Sequence, residues 1–523
     1  MKKTDIYNKI SLKVLKALLL LIAICFLLSM LFVIASRIGY IFELEWMEGT
    51  TYETVHRLMN SEKIYIKPSL EFIPNIYTPV YFYLSALLSQ IFGLNILLLR
   101  FISVISSIFL FGLVYRFVKK RTGGYFYPFL SAGLLAATFK IVSAWYDLAR
   151  VDNLFVMLMF LAIYILYDKP DKKRAIISGL VFFLAFYTKQ TSLLAFLGFF
   201  VLLLWVKPKT GIYFGLAFAI PSIVSFIALN NITDGWFYYY CFDLPSQHEL
   251  LKNMLYHFWI YDIIYQFSVP FFIASLYVLI RLFQNFRKYE SENVFIFNKF
   301  IIKFRRIKYS SLFDLVFLST MLLISWSMRL HQGGHINALI PAYAVISIYF
   351  AIGLSKVFNK TSFSKSFSII LAFAIIIQFI HLFYFPGRYI PDEDDYTYGY
   401  KFIREVASEP GKVYIFFHSY ISRLAGKESY LPQTAIWDIS RGQKNDVYDY
   451  TMDLFNNAIE KKYFDAIIID YFAYPKEMEQ NYKLMLQNYN IKKTIMQKPN
   501  TFHTKSGLIT APVILLEPRI ENR

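Results

Sequence analysis

The sequence predicts a polytopic, all-α membrane protein with about eleven transmembrane helices, followed by a small α/β domain. Hydrophobic residues make up 57% of its 523 residues, whereas charged residues make up only 17%. Several windows of about 20 residues carry no charge, which is enough to cross a hydrocarbon core of roughly 30 Å. The tail has a different composition, with short β-like runs between helical stretches. The composition therefore predicts a multi-pass membrane protein rather than a soluble one.

Eleven apolar segments are candidate spans, at residues 14–36, 95–117, 125–143, 153–168, 174–188, 191–206, 211–229, 258–281, 311–328, 336–354 and 366–386. The first is too long for a signal peptide and no small-residue cleavage site follows it, so it is expected to be retained. The apolar segment Val80–Phe92 is short, and we interpret it as a helix at the membrane interface because counting it as a span would invert every later loop. The two cysteines, Cys25 and Cys241, predict neither a disulfide framework nor a zinc site.

The charge distribution predicts the orientation. Residues 388–523 hold 18 Lys and Arg and 18 Asp and Glu, so the whole net charge of +18 belongs to the membrane part. In the membrane part, the segments that we assign to the cytoplasmic side hold 26 Lys and Arg residues, whereas the outward loops hold 10. This asymmetry agrees with the positive-inside rule. We therefore expect a protein of the plasma (inner) membrane with a cytoplasmic N-terminus, an extracytoplasmic tail and no nucleic-acid partner.

This orientation divides the chain into two predicted domains. Residues 1–386 form the membrane domain, in which 37–94 are an acidic first outer loop with juxtamembrane helices. Residues 387–523 form the outer α/β domain. Its expected strands are KVYIFF (412–417), FDAIIID (464–470) and APVILLE (511–517), and its expected helices include Tyr450–Lys461 and Lys476–Asn488.

Polar residues cluster at the outer ends of the spans. The first outer loop has three carboxylates within six positions, Glu43, Glu45 and Glu48. Four further polar clusters lie at residues 145–152, 187–192, 231–249 and 327–337, and the inward loops offer only basic connectors. The candidate substrate-binding residues in these clusters are Asp147, Arg150, Asp152, Lys189, Gln190, Arg329, His331, His335 and Asn337. Because ionisable groups at membrane depth are costly, this one-sided clustering predicts an outward-facing active site.

Each cluster also has a structural interpretation. The carboxylates of Glu45 and Glu48 precede a helix and would be stabilised by its N-terminus. Arg150 lies between two aspartates and could form structural ion pairs, and Lys189 could extend its ammonium group to the interface. The cations near His331 favour function more strongly, because the positive-inside rule disfavours cations on the outer side.

Cations and carboxylates at the outer membrane surface suit one reaction in particular. A sugar carried on a polyprenyl phosphate presents its phosphate at headgroup level and its sugar just above. Arginine and lysine would hold the phosphate and stabilise the charge of the departing lipid phosphate. A carboxylate would take the proton from an acceptor hydroxyl as that hydroxyl attacks the anomeric carbon.

Four segments, spread over roughly residues 30–350, form a pattern along the chain: LEWMEG, IY…YTPVYFYLSALLSQIFG…LLRFIS, DLARVD and HQGGHIN-A-LIPAY. This pattern resembles that of the GT-C glycosyltransferases, in the group of the protein O-mannosyltransferases, the lipid A aminoarabinose transferase and the rhizobial lipopolysaccharide sugar transferases. The resemblance implies an inverting transferase that uses a polyprenyl-phosphate sugar on the outer face of the plasma membrane. Its partners would be this donor, a glycan, lipid or protein acceptor, and membrane lipids.

The resemblance also implies roles for particular residues. The base would be a carboxylate of the first outer loop, Glu48 or Glu45, and we prefer Glu48 because it lies at the turn that opens the helix. Arg150 would serve donor or acceptor binding. The family often has Asp-Asp or Asp-Glu where this sequence has Glu-x-x-Glu, so two alternatives stay open: one carboxylate acts alone, or a divalent cation (Mg or Mn) bridges Glu45 and Glu48. Lys189, His331 and His335 are our own additions as phosphate or sugar contacts.

Two other functions compete with this prediction. A transporter or flippase for a lipid-linked saccharide would also use aromatic and basic groups, but it predicts polar or broken helices near the bilayer midplane. A glycan polymerase or ligase predicts a dominant outer loop late among the spans, rather than after the first.

Overall fold

The computed structural model describes residues 3–287, 308–359, 364–443, 445–470, 479–495 and 502–520. The described residues up to 381 are mostly helical, and every candidate span falls largely on helical structure, which confirms the predicted helical character of the membrane part. Its longer helices are Lys3–Arg37, Glu48–Met59, Val80–Phe92, Ile96–Thr122, Phe126–Ala137, Val151–Leu166, Lys172–Phe186, Leu193–Val206, Pro208–Ile232, Gln266–Arg287, Tyr309–Leu330, Ile340–Asn359 and Lys365–His381.

Short helical turns connect the longer helices. α-Helical turns span Trp236–Tyr238, Leu244–Gln247 and Met254–His257, π-helical turns span Tyr239–Asp243 and Phe258–Tyr265, and 3₁₀ turns span Lys140–Val142, Gln190–Ser192, Ile336–Leu339 and Pro386–Tyr389. The aromatic run at residues 236–240 thus lies in such turns.

Several helices are suited to a bilayer. In the part of the chain that the structure describes, six helices are long and apolar enough to cross a membrane, and one bent helix pair could add a seventh. Four shorter apolar helices, among them Val80–Phe92, accompany them. On Val80–Phe92 the side chains of Tyr83, Leu87 and Ile91 lie one turn apart and are exposed, as expected of a helix that meets lipid. The chain is therefore a multi-pass membrane protein, and the figure of eleven spans stays a prediction.

The C-terminal region, residues 393–520, combines helices with a sheet. Its helices are Glu393–Ser408, Ser419–Leu424, Gln433–Arg441, Asp446–Glu460 and Glu479–Asn488. Its described strands are β1 (Val413–Ile415), β2 (Ala466–Asp470), β3 (Tyr489–Thr494) and β4 (Pro512–Pro518), in the order β1-β2-β4-β3. β1 and β2 pair in parallel, and the other pairs are antiparallel.

Three of these strands match runs that the sequence predicted, whereas β3 was missed. Its sequence YNIKKT is polar, and all but its first residue are exposed. Lysines on an exposed edge strand protect it from pairing with another chain, so an edge strand need not show an apolar alternation. The beginning of the predicted helix Lys476–Asn488 lies outside the described residues.

The first outer loop and the C-terminal region share one apolar core. Trp46 of the loop contacts Phe417 and Trp437 of the C-terminal region, with ring centroids 5.1 and 5.4 Å apart. The backbone amides of Lys505 and Ser506 both donate to the Leu44 carbonyl at 2.9 Å. The acidic loop is thus fixed between the membrane helices and the C-terminal region.

Candidate active site

A cavity of about 630 Å³ lies where the first outer loop, the helix ends and the C-terminal region meet. Its lining includes seven of the eleven residues predicted for the site: Glu45, Arg150, Lys189, Gln190, His331, His335 and Asn337. This volume is typical of small-molecule sites. The structure therefore brings together most of the outward clusters.

Arg150 lies at the start of a helix. It precedes helix Val151–Leu166 with extended backbone, and its side chain makes no capping hydrogen bond. Helix N-termini carry partial positive charge and unsatisfied amides, which favour anions. Lys189 and His335 precede only short 3₁₀ turns, Gln190–Ser192 and Ile336–Leu339.

Glu45 is the carboxylate of the first outer loop that lines the cavity. One of its oxygens accepts a 3.2 Å hydrogen bond from the Met47 amide, and the other has no hydrogen-bond partner among the described residues. Burial raises the pKa of Glu45 to about 8, against a lowering influence of Arg150. An uncommitted carboxylate with a pKa near neutrality is suited to accept a proton.

The backbone of Gly507, in the C-terminal region, packs against the side chain of Glu45. Its φ of +68° is in the left-handed region that glycine adopts readily. A Cβ at this position would lie 2.8 Å from Cγ of Glu45 and 3.2 Å from the Trp145 ring. Only a residue without a side chain allows the backbone to pass so close to Glu45.

Glu48, the carboxylate that we preferred from the sequence, is not among the residues that line this cavity. One of its oxygens accepts from Nε of Arg100 at 2.9 Å and from the Ala149 amide at 2.7 Å. The other accepts from the second guanidinium nitrogen at 2.6 Å and from the Leu44 amide at 2.7 Å. Burial alone would raise the pKa of Glu48, but Arg100 outweighs it and holds that pKa below the usual value. Glu48 thus ties the first outer loop to a membrane helix.

The Glu45–Glu48 pair does not fit a bridging divalent cation, because Arg100 and backbone amides already take both oxygens of Glu48. Over the residues whose placement is described, no group of three or more His, Cys, Asp or Glu side chains is arranged to hold a metal ion.

Arg150 is a buried cation that makes no direct ion pair with a carboxylate in the described ranges. Its guanidinium donates to the Tyr77 hydroxyl at 3.1 Å, and its Nε has no hydrogen-bond partner among the residues that the structure describes. The carboxylates of Glu45, Asp152 and Asp438 are near enough to act on its charge. The guanidinium also lies over the rings of Tyr77 and Trp145, 5.5 and 5.9 Å from their centroids. A buried cation without a direct ion pair is costly, so this geometry favours an anionic ligand.

Lys189 is the second cation in the lining. Its Nζ donates to Asp152 at 2.6 Å, and the Trp145 indole donates to the other oxygen of the same carboxylate at 3.0 Å. An ammonium group has three donors, so Lys189 retains donors for a ligand. Asp152 therefore positions Lys189 from behind the cavity wall.

The loop at residues 327–337 is shaped by Arg329 and Gly334. Arg329 pairs with Asp262 at 2.8 Å and donates to the Gly334 carbonyl at 2.7 Å, so it supports the loop and does not line the cavity. A Cβ on Gly334 would lie 1.9 Å from the Met328 carbonyl oxygen. Burial lowers the pKa of His335 to about 4, so its imidazole is neutral at pH 7.

Two further predicted residues are engaged in structural contacts. Asp147 lies behind the wall and pairs with Arg37, whose Nε donates to it at 2.7 Å. Gln190 reaches the cavity, but its amide donates to the carbonyls of Ile76 and Cys241 at 2.8 and 2.6 Å.

Sequence reasoning missed several lining residues. Tyr77 and Trp145 belong to segments whose sequences we had singled out, yet nothing in the residue pattern indicates that their rings pack against Arg150. Thr434, Trp437, Asp438 and Arg441 come from the C-terminal region, nearly 300 positions after Arg150.

Comparisons with known proteins give the fold a class. A family model described as dolichyl-phosphate-mannose-protein mannosyltransferase matches residues 76–229. No curated protein matches the sequence. Among solved structures, ArnT from Cupriavidus metallidurans, bound to undecaprenyl phosphate, is similar at 9% identity with a TM-score of 0.54, over 95% of this chain and 98% of that one.

A second structural neighbour is the archaeal oligosaccharyltransferase AglB from Archaeoglobus fulgidus, in complex with an inhibitory peptide and a dolichol-phosphate. It is similar at 12% identity with a TM-score of 0.51, over 92% of this chain and 71% of that one. At these identities the likeness concerns the fold. The resemblance predicted from the sequence is thereby confirmed: the chain has the fold of the GT-C membrane glycosyltransferases.

Proposed function

We propose that this protein is an inverting glycosyltransferase that moves a sugar from a polyprenyl phosphate to a hydroxyl of a glycan, lipid or protein acceptor. The observation that carries the proposal is the shared cavity, which the uncommitted carboxylate of Glu45 lines together with the buried Arg150 and the partly buried Lys189. The lipid phosphates named for ArnT and AglB support such a donor. We infer that the cavity faces outward at the plasma membrane, because the basic loops lie at the other helix ends.

Arg150 and Lys189 would bind the donor phosphate. The guanidinium of Arg150 is buried and the ammonium of Lys189 is partly buried, and the start of helix Val151–Leu166 at Arg150 adds to the positive field. As the bond between the anomeric carbon and the phosphate oxygen breaks, charge builds up on that oxygen. Fixed cations next to it stabilise the transition state more than the ground state.

Glu45 would act as the general base. Its carboxylate takes the proton from the acceptor hydroxyl while that oxygen bonds to the anomeric carbon and the electron pair of the broken bond leaves with the lipid phosphate. A single displacement of this kind inverts the anomeric configuration. Glu48, which the sequence suggested for this role, would instead hold the loop through Arg100.

The proposal is tested by incubating purified protein with undecaprenyl-phosphate sugars of known anomeric configuration and a mixture of cell-envelope glycolipids. We expect undecaprenyl phosphate to be released and the product linkage to have the opposite anomeric configuration. Retained configuration would contradict the single displacement, and movement of intact donor across vesicles without cleavage would instead indicate a transporter.

Arg150→Ala is expected to weaken the binding of undecaprenyl phosphate by roughly 10- to 100-fold, the range for losing one hydrogen bond to a charged group. Thermal unfolding of the same preparation separates a loss of affinity from a loss of fold. Isothermal titration of detergent-solubilised protein with undecaprenyl phosphate measures the affinity. Arg404→Ala, which removes an exposed arginine, is the matched control. Unchanged affinity in Arg150→Ala would assign Arg150 a structural role.

A further inference from the structure

One face of helix Gln433–Arg441 forms the C-terminal wall of the cavity. The lining side chains on this helix are those of Thr434, Trp437, Asp438 and Arg441. Their spacing of three, four and seven positions places them on one helical face. The wall thus consists of a continuous strip of a single helix.

The helix is firmly held in this place. The Asp438 carbonyl lies 2.7 Å from Nε2 of His248, and a Cβ on Gly442 would lie 2.7 Å from a methyl group of Leu244. Trp437 packs against Trp46 of the first outer loop with ring centroids 5.4 Å apart. The strip is therefore preorganised relative to Glu45, the neighbour of Trp46 in the sequence.

The strip combines the groups that recognise sugars. A carboxylate accepts hydrogen bonds from hydroxyls, a guanidinium donates to them, and an indole packs against apolar C–H groups. The Arg441 guanidinium lies 5.4 Å from the centroid of the Trp437 ring. It also lies 3.5 Å from the Asp438 carboxylate, so the positive charge of Arg441 and the negative charge of Asp438 nearly balance. Thr434 adds a buried hydroxyl that lacks a partner within the described ranges.

The strip is also close to the proposed phosphate site. Asp438 and Arg150 are near enough to influence each other electrostatically. In the proposed donor, the sugar ring is joined directly to the phosphate. A phosphate bound at Arg150 therefore brings its sugar towards Asp438.

We propose that this strip binds the sugar ring of the donor, with Asp438 accepting hydrogen bonds from its hydroxyls, so that the C-terminal region selects the sugar. The balanced charges of Asp438 and Arg441 favour a neutral sugar with free hydroxyls. This inference rests on the proposed function, because it takes the donor to be a lipid-phosphate sugar.

The test compares the affinities of the full-length protein for bare undecaprenyl phosphate and for undecaprenyl-phosphate glucose, mannose and galactose. Asp438→Ala is expected to weaken binding of the best hexose-bearing lipid by roughly 10- to 100-fold. It should not weaken the binding of bare undecaprenyl phosphate, because no sugar is present to lose the contact and the removal of a carboxylate near Arg150 does not oppose an anion. Asp449→Ala, an exposed aspartate on the next helix, is the control.

Loss of affinity for both kinds of lipid, or for neither, would overturn the proposal. So would a wild-type protein that binds bare undecaprenyl phosphate but none of the hexose-bearing lipids. If Asp438→Ala does not fold, Asp438→Asn keeps the shape of the side chain and should show the same selective loss, to a smaller extent. Because binding needs no turnover, a protein that binds the hexose-bearing lipid but releases no sugar would contradict only the proposed transferase function.

Discussion

Glu45→Gln is expected to lower sugar transfer by about 10²- to 10⁴-fold, the usual contribution of a general base. The amide keeps the shape of the side chain but cannot accept the proton. Because the pKa of Glu45 is raised to about 8, the wild-type carboxyl is mostly neutral at pH 7, and the neutral amide should be tolerated. We therefore expect donor binding and the melting temperature to stay close to those of the wild type.

This prediction is checked by measuring turnover and thermal unfolding on the same preparation. A variant that transfers sugar at the wild-type rate would exclude Glu45 as the base. A variant that unfolds at a much lower temperature would show that Glu45 has a structural role, although one of its carboxylate oxygens has no hydrogen-bond partner among the described residues.

Glu48→Gln is expected to act in the opposite way, on stability. The carboxylate and Arg100 are both fully buried, and the change leaves the guanidinium without a counterion. Breaking a buried ion pair by removing one partner costs about 3–5 kcal/mol. The melting temperature should therefore fall clearly, and the yield of folded protein with it.

The control for this prediction replaces both partners, in Glu48→Leu with Arg100→Leu. Since neither charge is then buried alone, part of the lost stability should return. The return is incomplete because the Leu44 and Ala149 amides lose the carboxylate that accepts from them. If Glu48→Gln instead keeps the wild-type melting temperature and loses turnover, Glu48 is the base, as the sequence first suggested.

The contrast between Glu45 and Glu48 illustrates what one sequence can reveal about this site. The positions of the helices and the convergence of Glu45, Arg150, Lys189 and His331 follow from hydropathy, charge asymmetry and resemblance. The choice between the two carboxylates does not, because it depends on Arg100. That arginine lies inside an apolar segment, and nothing in its sequence context indicates which carboxylate it meets.

The same limit applies to charged residues that lie just behind the cavity wall. Asp147 and Arg329 occur in the right clusters, but tertiary contacts direct them to Arg37 and Asp262. Conversely, nothing in the sequence around Asp438 indicates that it lines the cavity, because its position there depends on how the C-terminal region packs on the first outer loop. Sequence patterns therefore locate the outer surface that holds the site, whereas only the folded structure shows which residue each charged side chain pairs with.

The pH dependence of kcat/KM for the donor tests the central claim, that Glu45 is the base, most directly. A base must be ionised, so below its pKa of about 8 the rate should rise about tenfold per pH unit and become level above it. The residual activity of Glu45→Gln should lack this rise. A wild-type profile that is already level from pH 6 upward would contradict the account, because it would indicate an unperturbed or lowered carboxyl such as Glu48.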